Sequence, residues 1–327
     1  MALTGQQFVT HDVVAAFARD RVNLPSAEAQ SYRKQVRNLC EQLERKIDLD
    51  PNYGLVKMVH SGSVRKGTAL RTTSDMDVAV YVKADTAPTG TDAELISWME
   101  KRLKEAYPQL ADEQFEQQEH CVTLAFKSSG LNVDVVPVIY EGAADDFGYL
   151  ITKGSGARVL TSVPKHIEFI TKRKEAHPDD FAQVVRLVKW WVKQLKEADS
   201  GFRFKSFMVE LLVAHLADMG KIALADYVAA LEDFFDYIIL TGLHERIAFM
   251  DNYSPSELPA ATGAPIEIFD PVNPENNVAA RYTDTHRRAI VEAAAAAADH
   301  IAEARFSDTK GRATTLWQAV MGRSFSF

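Results

Sequence analysis

Cysteine is scarce in this chain. Cys40 and Cys121 are the only two in 327 residues, too few for a disulfide framework or a cysteine-based zinc cluster. No stretch approaches the roughly 20 apolar residues that span a bilayer, and Met1 to Asp20 has polar and charged residues throughout, without an apolar signal-peptide core. A basic surplus is missing too: 45 Asp and Glu against 37 Lys and Arg leave a net charge of −8 with His neutral. Proteins that grip long nucleic acid ordinarily carry a basic field, so the expected anionic ligand is small and held locally. A confined basic patch remains compatible with that balance. The nine histidines and four tryptophans show no metal-ligand spacing. These absences point to a cytoplasmic protein of bacterial type with no membrane partner and about two domains.

Around Tyr32, Val36, Leu39, Leu43 and Ile47 apolar residues recur every three or four positions, which predicts a helix over Ala27–Ile47. Asp50-Pro51-Asn52-Tyr53-Gly54 stops it. A strand over Leu55–His60, a glycine-containing loop, a helix-capable stretch over Val64–Leu70 and a β-branched strand over Asp75–Val82 follow. Next come a helix over Asp92–Tyr107 and a hairpin of Cys121–Lys127 with Leu131–Tyr140, turning at Ser128-Ser129-Gly130. Gly142–Arg158, rich in Gly, Ala and Asp, is expected to be loop. Beyond it the helical period predicts Pro164–Lys174, Asp179–Glu197, Ser206–Met219, Leu224–Leu240 and, after a Pro/Asn-rich loop over Ser254–Asn277, Asp284–Arg305. The basic stripe Lys165-His166 and Lys172-Arg173-Lys174 is expected to be a solvated helix face. The expected architecture is an α/β lobe over residues 1–160, a mixed sheet with helices, and an α-helical lobe over 161–327. The long N-terminal helix is the expected spine between them.

The chemistry concentrates in Gly62-Ser63, followed twelve residues later by Asp75-Met76-Asp77 at the head of an apolar strand. A Gly-Ser pair can offer backbone N–H groups and a hydroxyl to an anion. Asp75 and Asp77, at i and i+2 of a strand, emerge on one face. Asp134, set among apolar residues in Leu131–Val136, needs a partner or a metal there. Hard oxygen donors of this kind select Mg²⁺ or Mn²⁺ over zinc, and two such ions can serve an in-line displacement. Asp134 is then the natural acceptor of a proton from an attacking hydroxyl. Either motif alone is common on turns and strand edges; the ordered combination is far more specific.

That combination resembles the nucleotidyltransferase superfamily typified by DNA polymerase beta. Leu187-Val188-Lys189-Trp190-Trp191 resembles a segment of oligoadenylate synthetases in which the lysine meets donor phosphates. Lys205-Ser206-Phe207-Met208-Val209-Glu210 is similar to one that supplies a phosphate-binding hydroxyl and then a base-stacking aromatic. Asp270-Pro271-Val272-Asn273-Pro274-Glu275-Asn276-Asn277-Val278 resembles their Asp-Pro-x-x-Pro-x-Asn-Asn-Val signature, with Asp270 and Asn277 open to a structural role as an Asp-Pro turn. The resemblance spans roughly Ala27 to Arg305. It extends to the bacterial cGAS/DncV-like nucleotidyltransferases of CBASS anti-phage signalling, and among them to the clade C and D members encoded with HORMA-domain proteins. Nothing is similar to the zinc insertion of animal cyclic GMP–AMP synthase.

The resemblance implies a Mg²⁺-dependent synthase that links ATP, or other NTPs, into a cyclic oligonucleotide messenger, with cyclic tri-adenylate as the expected product. It implies that Gly62 and Ser63 hold the β- and γ-phosphates. Lys189 and Ser206 contact the triphosphate from the helical lobe, with Lys205 a weaker candidate, and Phe207 stacks on the donor base. The alternatives are a linear oligoadenylate synthase, an adenylyltransferase acting on a small molecule or protein, and a catalytically silent nucleotide sensor or scaffold. Intact Asp75, Asp77 and Asp134 argue against the last. The terminal Ser324-Phe325-Ser326-Phe327 suits conjugation of the synthase poorly. The expected partners are therefore a HORMA-domain activator and an AAA+ remodeller, with a messenger-activated nuclease downstream. A need for DNA as a cofactor is left open by the sequence.

Overall fold

A computed structural model of the chain describes residues 7–73, 75–87 and 92–327; Ser74, within the Gly62–Asp77 stretch, lies outside them. The backbone divides into two compact units, one of residues 24–169 and one that combines the N-terminal residues through Asn23 with 170–327. Helix α1 (His11–Phe17) runs into a single π-turn over Ala18–Val22 and belongs to the second unit. It has no counterpart in the sequence expectation.

The first unit opens with α2 (Ser26–Ile47), the expected long helix. β1 (Leu55–Ser61), the single turn α3 (Gly62–Lys66), β2 (Asp75–Lys83) and α4 (Leu95–Ala106) follow. Then come β3 (Phe115–Gln117), β4 (Val122–Phe126), β5 (Leu131–Tyr140), β6 (Gly148–Ile151) and β7 (Arg158–Thr161). The strands form one mixed sheet ordered β1-β2-β5-β4-β3, with β6 bridging β5 and β7. Among the described strands of this sheet, only β2 and β5 pair in parallel. The stretch 142–158, expected to be loop, instead carries β6 and the start of β7. Gly148 is what permits it: a Cβ there would sit 2.6 Å from the Ile139 carbonyl oxygen, so the glycine lets β6 close on β5.

One face of the sheet is covered by α2 and α4. Val36, Leu39, Leu43 and Ile47 meet Met76, Val78, Val80 and Val82 of β2 and Ile96, Met99 and Leu103 of α4 in one buried cluster. Each such side chain contributes roughly 1.5–3 kcal/mol relative to exposure. At the end of this core Asp50 holds α4: Arg102 lies 2.6 Å from it and the Trp98 indole N–H donates to it at 3.0 Å. Burial raises the Asp50 carboxyl, but the Asn52 N–H, Trp98 and Arg102 outweigh this and leave it below its ordinary value.

Helix α5 (Val163–Ala176) leads into the second unit, formed by α6 (Asp180–Ala198), α7 (Ser206–Asp218), α8 (Tyr227–Thr241), α9 (Asp284–Arg305) and α10 (Lys310–Met321). α6 packs on α7, α8 and α10, while α9 packs on α8 and α10. α6 begins where Asp179-Asp180 predicts. The expected solvated stripe is only partly so, because Arg173 is buried between Asp218 at 2.5 Å and Asp251 at 3.0 Å. Among the described residues no helix is long and apolar enough to cross a membrane.

Asp50→Ala removes a carboxylate from the buried Arg102 while leaving Glu105 at 2.8 Å. Chemical denaturation should show a loss of about 3 kcal/mol. Because the folded carboxyl titrates below its unfolded value of about 3.9, its stabilisation is full above that pH and is lost as pH falls through the lower folded value. The deficit of the variant should therefore shrink in acid.

Candidate active site

Because β2 and β5 run parallel, register alone decides which of their residues are neighbours. Asp77 pairs with Asp134, and Asp75 with Asn132. The row continues across the sheet: Ser61 opposes Asp77 on one side, and Thr123 and then Glu116 follow Asp134 on the other. Side chains alternate along a strand, so Asp75 and Asp77 share the face opposite α2 and α4. Farther along the same face of β2, Ala79 and Tyr81 form a small apolar cluster with Val138. The acidic residues thus occupy the open end of a face whose other end is closed.

Gly62 follows β1 directly and has φ +72, a conformation that costs glycine little. A Cβ added there would lie 1.7 Å from Asp77 Oδ2 and 2.6 Å from its Cγ. The Asp77 carboxylate therefore lies against bare backbone, and glycine is required twice over. Ser63 follows in the first turn of α3, its carbonyl accepting the Thr68 N–H at 2.9 Å.

Asp134 is half-buried on β5 and accepts from the Thr123 hydroxyl at 2.5 Å. Burial pushes its carboxyl up; the Thr123 bond offsets part of this, and the charges of Asp75 and Glu116 add to it. Asp75 is exposed and accepts from the Asn132 amide at 3.2 Å. Cys121, nearby, is pushed up to about 12 by burial and by the Asp134 and Asp77 charges, which keeps it a thiol. Among the described residues no three His, Cys, Asp or Glu side chains are drawn together into a formed metal cluster. Like charges repel, and Thr123 holds one Asp134 oxygen. The donor set still fits a hard divalent cation, because Asp77 and Asp134 are immediate neighbours on one face and a cation relieves the cost of packing carboxylates there.

The second unit carries the remaining candidates. Lys189 of α6 is buried, its ammonium 2.5 Å from Glu210 of α7. Ser206 is exposed at the first helical position of α7, where backbone N–H groups lack intrahelical partners. Phe207 beside it is half-buried. Lys205 precedes them: its N–H donates to the Tyr282 hydroxyl at 2.9 Å and its ammonium to the Val278 carbonyl at 3.1 Å. The structure thus brings Gly62, Ser63, Asp75, Asp77 and Asp134 together in one unit. Lys205, Ser206 and Phe207 are consecutive at one helix start in the other.

Sequence reasoning missed Thr123 and Asn132, which carry no motif signal because their partners are set by sheet register. Asp270 and Asn277 turn out to be scaffold. Asp270 accepts from the Val272 N–H at 2.9 Å and the Asn276 amide at 3.1 Å. Asn277 accepts from the Ile268 and Ala279 N–H groups at 3.1 and 3.0 Å and donates to the Ile266 carbonyl at 2.9 Å. This loop holds Val278, on which Lys205 rests. Asn277→Ala should cost about 2–3 kcal/mol by removing partners from partly buried backbone groups, read as a lower denaturation midpoint.

Comparison with known proteins identifies the family. A model of the Second Messenger Oligonucleotide or Dinucleotide Synthetase domain matches residues 9–172. The cyclic AMP-AMP-AMP synthase of Escherichia coli (strain MS 115-1) is 44% identical over 319 residues, 98% of this chain and 98% of its own. The CBASS oligonucleotide cyclase CdnC of Escherichia coli (strain KTE188) is 33% identical over 322 residues, 97% of this chain and 98% of its own. Solved structures of CdnC from E. coli MS115-1, one with HORMA-deltaN and one with ATP, each match with a TM-score of 0.88 at 43% identity. They cover 98% of this chain and 99% and 100% of theirs. This chain belongs to the second messenger oligonucleotide or dinucleotide synthetase family, the cGAS/DncV-like nucleotidyltransferases of CBASS.

Proposed function

We propose that the chain joins ATP into cyclic tri-AMP, the second messenger of an anti-phage system. The observation that carries this reading is the Asp77–Asp134 pair beside Gly62, in a chain that aligns nearly end to end with a cyclic AMP-AMP-AMP synthase. Asp75, Asp77 and Asp134 would hold two Mg²⁺ ions, with Mn²⁺ able to substitute. When bound, such ions activate the attacking hydroxyl and stabilise the leaving oxygen of an in-line displacement. Asp134 takes the proton of the attacking ribose hydroxyl, a role suited to a carboxyl already raised by burial. Gly62 and Ser63 bind the β- and γ-phosphates. Ser206, exposed where α7 begins, contacts the triphosphate with Lys205 beside it, and Phe207 stacks on the donor base. Lys189 would contribute charge to the triphosphate, with its ammonium held 2.5 Å from Glu210. Phosphoryl transfer asks chiefly for this positioning and charge stabilisation.

A HORMA-domain protein, as in the complex solved for CdnC, is the proposed activator in the cytoplasm, with an AAA+ remodeller to reset it. The chain should be incubated with the four NTPs and Mg²⁺, with and without the HORMA protein and DNA. The expected product resists phosphatase and has the mass of cyclic tri-AMP. A phosphatase-sensitive ladder alone would instead identify a linear oligoadenylate synthase. Asp75→Asn combined with Asp77→Asn should abolish pyrophosphate release without unfolding the protein; unchanged turnover would remove the site. Gly62→Ala should lower turnover by roughly 100-fold, since a displacement of about 1 Å in a reacting group has that effect.

A further inference from the structure

We infer that Thr123 is a positioning residue for this reaction: its hydroxyl fixes the orientation in which Asp134 presents its second carboxylate oxygen. The inference rests on the reading of Asp134 as a site carboxylate. Thr123 lies within β4 directly opposite Asp134, half-buried on the acidic face. Its neighbours Val122 and Leu124 point into the core on the other side.

Packing does not explain the hydroxyl. Valine has the same shape and fits a half-buried strand position as well. The hydroxyl donates one bond, Oγ1 to Asp134 Oδ1 at 2.5 Å, and its oxygen also meets the Cys121 thiol. A hydroxyl donating to an ionised carboxylate makes a short bond about twice as strong as a neutral one. The terminal torsion of an aspartate is otherwise broad, so this single bond selects one setting of the carboxylate. It commits Oδ1 to β4 and leaves Oδ2 for an incoming group.

The other two carboxylates are constrained from different elements. The Asn132 amide donates to Asp75, and the backbone of Gly62 bounds Asp77. Thr123 supplies the same service to Asp134. Groups that hydrogen-bond a ligating carboxylate typically contribute about 10–100-fold in metal affinity or activity.

Thr123→Val and Thr123→Ser in the full chain test this. Two quantities are read: Mn²⁺ binding, by electron paramagnetic resonance with a nonhydrolysable ATP analogue present, and steady-state pyrophosphate release. Thr123→Val should weaken Mn²⁺ binding and lower kcat by about 10-fold or more, with the KM for ATP nearly unchanged. Thr123→Ser, which keeps the hydroxyl, should restore both. A Thr123→Val protein that binds Mn²⁺ and turns over like the parent overturns the inference, as does a serine variant as impaired as the valine one. Should the valine variant not fold, Thr123→Ala set against Thr123→Ser makes the same comparison. Asp134→Asn separates the two claims. Full activity in that variant removes the site reading itself, whereas an inactive Asp134→Asn beside a fully active Thr123→Val removes only the role of Thr123.

Discussion

The parallel pairing of β2 with β5 is the constraint on which the rest depends. The other strand pairs are antiparallel, and a slip of one residue here would turn the carboxylates of one strand into the core. The apolar alternation forbids that slip. Met76, Val78, Val80 and Val82 on β2, and Leu131, Val133 and Val135 on β5, are committed to the cluster beneath α2 and α4. Burying those side chains puts Asp77 and Asp134 on the opposite face, and the observed register sets them side by side there. Core and register together set two like charges side by side.

That proximity is electrostatically unfavourable in the chain alone; burial raises the Asp134 carboxyl, and the charges of Asp75 and Glu116 add to the rise. The surroundings limit the cost without removing the charge. Thr123 and Asn132 donate hydrogen bonds, while Gly62 makes room for the Asp77 carboxylate. On the reading proposed above, a net-acidic protein takes a polyphosphate because the anion is met by ions and by local N–H and ammonium groups, not by a broad basic surface.

Much of this was legible in the sequence, for identifiable reasons. Asp75-x-Asp77 ahead of a β-branched run and Asp134 within an apolar one conflict with their own neighbourhoods, and such conflicts mark function. Helices α5 to α9 were clear from their period, whereas α10 has no counterpart in the sequence expectation. β6 and β7 were hidden because Gly148 serves close packing of the backbone, which reads in sequence as loop. Helix α1 is a turn or two long and is held by its packing on α8, so its own residues signal it weakly. Thr123, Asn132 and the support of Lys205 by the Val278 carbonyl depend on tertiary register, which no local pattern encodes. The Asp270–Val278 segment was visible as a motif, but only its hydrogen bonds identify it as scaffold.

The central claim is that sheet register makes a divalent-cation site of Asp75, Asp77 and Asp134. The most direct test is diffraction from crystals grown with Mn²⁺ and a nonhydrolysable ATP analogue, recorded for the manganese anomalous signal. The account predicts manganese about 2–2.2 Å from oxygens of these three carboxylates, the distance expected for small divalent ions. An ordered nucleotide whose manganese is held elsewhere, with Asp77 and Asp134 taking no part, would contradict it.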